Sequence, residues 1–277
     1  MESALTGLSV GFIGSGAMGE ALLAGLLRGR TLEVSQLIAS DPRREQREAL
    51  SARYGVHTCA DNADALGAEL LVIAVKPPVL AAVMRDLKGR LRESQVVISI
   101  VAGATSSILV RGLGHERLVR CMPNTPAQIG RGVTVWFATA AVDEKARAAV
   151  RAILAAIGRE LEVRDERQVA LATAVSGSGP AYVFLVMEAL VDAAVRLGLQ
   201  REFARTLVVE TMEGAAAFAR ESGRHLTELR ESVTSPGGTT AAALYELERA
   251  GLRAAIDDAV QAAFRRNNEL ESSLEQP

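Results

Sequence analysis

The sequence predicts an α/β protein in two parts: an N-terminal doubly wound sheet followed by an all-α domain. Short β-rich apolar runs alternate with helical segments through the first half, and a glycine triplet falls where the first run gives way to the first helix. After about Asp165 the strand signals stop. The 277 residues suit two domains, expected at residues 1–165 and 166–277.

Taken in order, the apolar runs place strands at Leu8–Ile13, Gln36–Ser40, Glu69–Val75, Gln95–Val101, Arg117–Met122 and Val133–Ala138, with a weaker one near Glu160–Arg164. Helical patterns fill the intervals at Ala17–Arg28, Pro42–Tyr54, Pro78–Leu87, Ser106–Leu113 and Asp143–Ile157. Near-continuous apolar runs such as Leu70 to Val75 fit strands of a parallel sheet covered by helices on both faces. The second half reads as helices punctuated by Gly and Pro at Ser176–Pro180, Gly198, Gly223, Pro236–Gly238 and Gly251. Its Pro180–Leu197 helix is apolar on most faces, and the Ala-rich segments Gly214–Ala219 and Ala241–Ala243 allow close helix approach. So small and apolar a half predicts a homodimer built from the helical domains.

Composition narrows the function classes. Lys plus Arg total 31 against 33 for Asp plus Glu, without long blocks of either sign, so neither nucleic acid nor an anionic membrane is an expected partner. A small molecule is expected instead. Cys59 and Cys121 stand far apart, outside any disulfide or zinc spacing, and no metal is expected. The apolar stretch Leu8–Met18 lacks a basic lead and is broken by glycines, unlike a signal core. Ala181–Met187 ends at Glu188 and Asp192, far short of the ~20 residues of a membrane span, so a cytoplasmic chain is expected.

Five motifs carry chemistry. Gly14-Ser15-Gly16-Ala17-Met18-Gly19 follows a strand and opens a helix, with Asp41 just past the second strand. The three glycines permit a tight turn, backbone approach to a pyrophosphate and helix–strand packing, and the helix N-terminus favours the phosphate charge. Ala74-Val75-Lys76-Pro77 ends the Glu69–Val75 strand, on the edge where open α/β sheets bind ligands. There Lys76 either reaches the nicotinamide half of a dinucleotide or is a solvated cation ahead of a helix that starts at Pro77. The Val101-Ala102-Gly103 turn has the same geometry and the same two readings.

Cys121 to Pro126 is a rigid loop with prolines at 123 and 126; taken alone it reads as a turn capped by the Asn124 side chain. Ser176-Gly177-Ser178-Gly179-Pro180 opens the helical half, where Ser178 is an expected N-cap; no His and Asp complete a hydrolase triad, and His57, His115 and His225 read as structural or surface residues. Ser235-Pro236-Gly237-Gly238-Thr239-Thr240 has two compatible readings. Thr239 or Thr240 caps a helix starting near Ala241, and the same turn exposes N–H groups and a partial positive charge suited to a carboxylate.

In this order along Leu8–Asn267, the five motifs resemble the pyrroline-5-carboxylate reductase family. The resemblance implies a Rossmann-type domain, a helical dimerisation domain, dimers or rings of dimers, and reduction of 1-pyrroline-5-carboxylate to L-proline with NADPH or NADH. It implies cofactor contacts at Ile13, Gly14, Ser15, Gly16, Ala17 and Met18 for the pyrophosphate, Asn62 near the adenosine, and Ala74, Val75, Lys76 and Ala102 near the nicotinamide; Gly19, Asp41 and Pro77 complete the expected cofactor-binding residues. It implies substrate contacts at Ser235, Gly238, Thr239 and Thr240, supplied across the dimer; the Gly237 and Gly238 N–H groups are expected to hold the carboxylate, Thr240 on the ring nitrogen is the expected catalytic group, and Ser176 completes the expected substrate-binding residues. Two positions depart from the family pattern: Ala170, where Asp is frequent, and Asp41, where Ser or Asn is common. A carboxylate at position 41 suits a ribose 2′-hydroxyl, whereas Arg43 and Arg44 suit a 2′-phosphate, so use of both cofactors with a modest lean to NADH is expected.

Two rival readings share the cofactor domain. A hydroxyacid or imine reductase generally needs a helical-domain lysine as acid in its hydroxyacid form, and residues 165–277 hold no lysine. A nicotinamide-sensing regulator binds the cofactor without turnover.

Overall fold

The computed structural model describes residue 5 and residues 7–275. Eight strands form one sheet: β1 (Val10–Ile13), β2 (Leu37–Ser40), β3 (His57–Cys59), β4 (Leu70–Ile73), β5 (Val96–Ser99), β6 (Leu118–Met122), β7 (Gly132–Ala138) and β8 (Gly158–Glu162). Their order is β3-β2-β1-β4-β5-β6-β7-β8. Pairing is parallel, with Val10 beside both Leu37 and Leu70, except that β6 and β7 run antiparallel. The purely parallel sheet expected from the alternating pattern is corrected there. Residues 123–131 hold only a 3₁₀ turn, too short for the helical crossover a parallel neighbour needs.

Helices α1 (Ala17–Arg28), α2 (Arg44–Tyr54), α3 (Pro77–Leu87), α4 (Ser106–Leu113) and α5 (Glu144–Ala155) cover the sheet. Alternation along each strand divides the core in two. Phe12, Val72 and Ile98 pack with Leu22, Leu26, Trp136 and Ile153, whereas Ile13, Leu71, Ile73 and Val97 pack with Leu80, Leu109 and Leu118 on the other face. Both cysteines lie inside, and burial pushes each thiol above its ordinary pKa, leaving it neutral and inert. His115 bonds the Gln95 carbonyl, and His225 accepts the Thr227 N–H, so both are structural.

Arg30 is the one non-glycine residue with positive φ (51°) among those described. It closes α1 in a Schellman motif, its amide bonding Leu27 O and that of Thr31 bonding Leu26 O, at a position that favours glycine. Arg30→Gly relieves the side-chain strain and returns part of that gain to the unfolded chain's freedom. A net stabilisation of roughly 0.5–1 kcal/mol is expected, read as a rise in melting temperature of about 1–3 °C.

The remaining helices are α6 (Arg167–Ala172), α7 (Gly179–Arg196), α8 (Arg201–Ser222), α9 (Leu226–Ser232), α10 (Thr239–Arg249) and α11 (Leu252–Glu275), with a π turn at Thr173–Gly177. By compactness the chain forms two units, one reaching to Ser178 and resuming at Ala263, the other Gly179–Ala262. The second unit has almost no interior: among its described residues only Val191 and Ala204 are buried apolar residues, while Phe184, Leu185 and Tyr245 are 58%, 66% and 67% exposed. The stretch 167–196 is long and apolar enough, by length and composition, to cross a membrane.

Candidate active site

The phosphate turn follows from how β1 meets α1. Gly14 takes φ +85° and donates its N–H to the Ser40 carbonyl; a Cβ there would lie 2.7 Å from Val75 Cγ1 and 3.0 Å from Ala74 O. At Gly19 a Cβ would meet Gly14 O at 2.8 Å. Gly16 differs: its backbone is ordinary (φ −65°, ψ −173°) and nothing lies within 4 Å of the Cβ position. Gly16 is the N-cap of α1 and no side chain caps the helix, so the amides of Ala17, Met18 and Gly19 have no intrahelical acceptor. Two glycines thus serve the fold, and the third keeps a face of the helix N-terminus clear, the combination a pyrophosphate needs.

Asp41 is 4% exposed, and its carboxylate is already occupied. One oxygen accepts the Ser15 N–H and hydroxyl, both at 3.2 Å, and the other accepts the Arg43 N–H and Nε at 3.0 Å; Arg43 Nη2 adds a bond of 3.0 Å. Burial works against the charge, but the Arg43 side chain and the Arg43 and Ser15 amides outweigh it and hold the pKa below the usual aspartate value. Gln46 donates to the Ser15 carbonyl at 2.7 Å, so the segment after β2 grips the phosphate turn from the side. Asn62 is likewise held at both ends of its amide, accepting from Ser40 Oγ at 2.6 Å and donating to Asp86 at 3.0 Å.

Along the carboxyl edge, Ala74 and Val75 follow β4. Lys76 is exposed and serves as N-cap of α3, which begins at Pro77. Ala102 is half-buried in the turn after β5. Asn124 does not cap its own turn: its Nδ2 donates to Ser176 O at 3.1 Å and its Oδ1 accepts from Val133 N at 2.9 Å, tying the proline loop to the π turn. Ser178 is not an N-cap either. It lies in right-handed helical conformation (φ −84°, ψ −22°) and donates its N–H to Thr173 O, the i→i+5 bond of a π turn, a feature frequent at functional sites. The Ser176 hydroxyl donates to Ala172 O, four residues back.

In the second unit, Gly237 takes φ +70° and α10 starts at Thr239 with Gly238 as N-cap. Thr239 and Thr240 are therefore the first two helical residues and not caps, and no side chain caps α10. The Gly238 N–H closes the turn onto Ser235 O at 3.0 Å and is withdrawn from ligand binding, whereas the amides of Thr239, Thr240 and Ala241 stay without intrahelical acceptors.

The sequence reading passed over Arg120, whose side chain is 5% exposed and pairs with Glu166 and Glu271. A lone arginine inside the otherwise apolar strand LVRCM was the available signal.

A strand order that reverses between β1 and β4, with an open glycine turn at that point and an uncapped helix beside it, defines a dinucleotide-binding protein of the Rossmann class. Residues 166–270 match the family model for pyrroline-5-carboxylate reductase dimerisation, and residues 9–103 match that for NADP oxidoreductase, coenzyme F420-dependent. The chain is 40% identical to pyrroline-5-carboxylate reductase of Synechocystis sp., covering 95% of this chain and 98% of that one. Among solved structures it is similar to Plasmodium falciparum pyrroline carboxylate reductase with NADP bound (TM-score 0.88, 31% identity, 96% and 98% covered). The enzyme from Coxiella burnetii matches equally well (TM-score 0.88, 38% identity, 95% and 98% covered). The chain belongs to the pyrroline-5-carboxylate reductase family, NAD(P)H-dependent oxidoreductases.

Proposed function

We propose that the chain reduces 1-pyrroline-5-carboxylate to L-proline by hydride transfer from NADPH or NADH, the last step of proline biosynthesis. The observation that carries this reading is the pair of uncapped helix N-termini, α1 beside open Gly16 and α10 beside Gly237, in a member of this family. When bound, the cofactor supplies the hydride that the imine carbon accepts. The chain's own groups bind and orient. Residues Ile13–Gly19 hold the pyrophosphate, Asp41 and Asn62 shape the adenosine end, and Ala74, Val75, Lys76, Pro77 and Ala102 flank the nicotinamide. Ser176, Ser235, Gly237, Thr239 and Thr240 receive the substrate. Its carboxylate falls to the amides of Thr239, Thr240 and Ala241, since that of Gly238 is spent on Ser235. The substrate nitrogen is basic enough to enter protonated, and Thr240 Oγ holds that proton in line, so positioning supplies most of the rate. Purified chain given the imine and reduced cofactor yields proline with loss of nicotinamide absorbance; cofactor binding without turnover marks the regulator, and turnover of hydroxyacids alone the other rival.

The division of labour between residues 1–165 and 166–277, a cytoplasmic location, and a homodimer, alone or in a ring of dimers, belong to the same proposal. A partner subunit, rather than lipid, covers the exposed apolar faces of α7, α8 and α10, and each subunit lends its Ser235–Thr240 turn to its partner's cofactor. Light scattering is expected to give a dimer or a multiple of one under assay conditions; a fully active monomer would overturn it.

The choice between cofactors turns on Arg43. With its acceptor sites filled by Ser15 and Arg43, Asp41 has little capacity left for a ribose hydroxyl, which removes the ground for a lean to NADH. Asp41→Ser frees the guanidinium and removes the nearby negative charge. The ratio of kcat/KM for NADPH over NADH is expected to rise about tenfold, and an unchanged ratio means this pair does not read the ribose.

A further inference from the structure

The end of α11 returns to the first unit and is fastened there by one buried cation. Arg120, on β6, donates to Glu166 at 3.1 Å and to Glu271 of α11 at 2.5 Å. Glu166 also accepts the Ser106 N–H at 2.6 Å and the Ser106 hydroxyl; Glu271 accepts from Asn267, itself only 3% exposed, at 3.1 Å. Thus α4, α6 and α11 are gathered on a single strand. A hollow lined by Thr105, Ala170 and Phe264 opens beside the network, and Leu274, three residues beyond Glu271, packs against the apolar core.

What α11 rests on gives the network its meaning. A Cβ on Gly103 would lie 3.2 Å from the Leu270 carbonyl carbon and 3.3 Å from the Glu271 amide, so helix backbone bears directly on the Val101–Gly103 turn. That turn ends β5. In a sheet that reverses between β1 and β4, a dinucleotide with its adenosine over β2 lays its nicotinamide over the ends of β4 and β5. We propose that Glu271, anchored on Arg120, is a positioning residue: it clamps α11 against Gly103 and so fixes the wall along which the nicotinamide lies. The proposal rests on the reductase reading given above. Without the Glu271 charge the buried guanidinium loses a counter-charge, α11 lifts and the wall loosens, while the pyrophosphate and adenosine ends, held by other elements, keep their grip.

The full-length chain tests this with 1-pyrroline-5-carboxylate and NADPH, and turnover by wild type is measured first, because its absence would defeat the reductase reading and not this one. In Glu271→Gln, kcat is expected to fall about tenfold with the NADPH dissociation constant within about twofold of wild type. The primary isotope effect with NADPH deuterated at the transferring C4 position is expected to rise as hydride transfer becomes more rate-limiting. Asn267→Ala, which removes one support of Glu271, follows in the same direction to a smaller extent and decides alone if Glu271→Gln does not fold. A purely structural anchor would lower the melting temperature and leave kcat and the isotope effect of the folded variants at wild-type values; that result overturns the proposal.

Discussion

Gly16→Val is expected to weaken NADPH binding by about 100-fold or more while the melting temperature of the cofactor-free chain stays within a few degrees of wild type. The two readouts separate because the position is costly only to a ligand. The backbone of Gly16 suits any residue, and the space around its missing Cβ is empty of protein. Two methyl groups placed at this N-cap crowd the helix end to which the pyrophosphate is assigned above, and a 100-fold loss corresponds to about 2.7 kcal/mol of lost contacts. Gly14→Ala gives the opposite balance, since its Cβ would press on Val75 and Ala74 at φ +85°, so the fold itself is strained. Calorimetry for affinity and thermal unfolding for stability check both. If Gly16→Val binds NADPH normally, the turn is not the pyrophosphate site.

Thr240→Ala is expected to lower kcat by about 10- to 100-fold with little change in cofactor affinity, because the protonated imine nitrogen loses the hydroxyl that holds it in line for hydride transfer. Thr240 is the second residue of α10, so its amide and its hydroxyl start from the same helix end. The substitution spares the amide to which the carboxylate is assigned above and removes only the hydroxyl, so the substrate KM is expected to change less than kcat. Thr240→Ser restores the hydroxyl and much of the rate. Steady-state kinetics on the three forms decide it; an unchanged kcat in Thr240→Ala removes the hydroxyl from the chemistry.

Much of the architecture was legible because aliphatic strands buried on both faces announce themselves. Leu70 to Ile73 and Val96 to Ser99 lie inside the runs that predict them. His57–Cys59 was missed because three residues with an exposed histidine, on the sheet edge, make no apolar run. The turns were read less well. Local logic made Ser178, Asn124 and Thr239 caps, because each is a good capping residue near a helix start. A π turn, a tether between loops and a glycine N-cap took those places instead; the tether joins Asn124 to Ser176, 52 residues on, and the other two are local turns that capping preference does not distinguish from a cap. At the candidate site Gly14 and Gly237 were readable by type, since each takes a positive φ that favours glycine. The engagement of Asp41 was legible only on the side of its neighbour Arg43; the rest comes from Ser15, 26 residues earlier in the chain, facing the same carboxylate.

The return of α11 to the first unit has a consequence for how the chain is made. The sheet, its covering helices and all of the second unit leave the ribosome before Asn267 and Glu271 do. The cofactor-binding unit therefore cannot close during its own synthesis, and it waits, with Arg120 missing one of its two carboxylates, through the emergence of the most apolar helices. A stop codon shortly before position 271 would leave a nascent product with nearly every strand and helix in place and a buried guanidinium short of one of its two carboxylates. Quality control would meet such a chain as a folding defect rather than as a damaged active site.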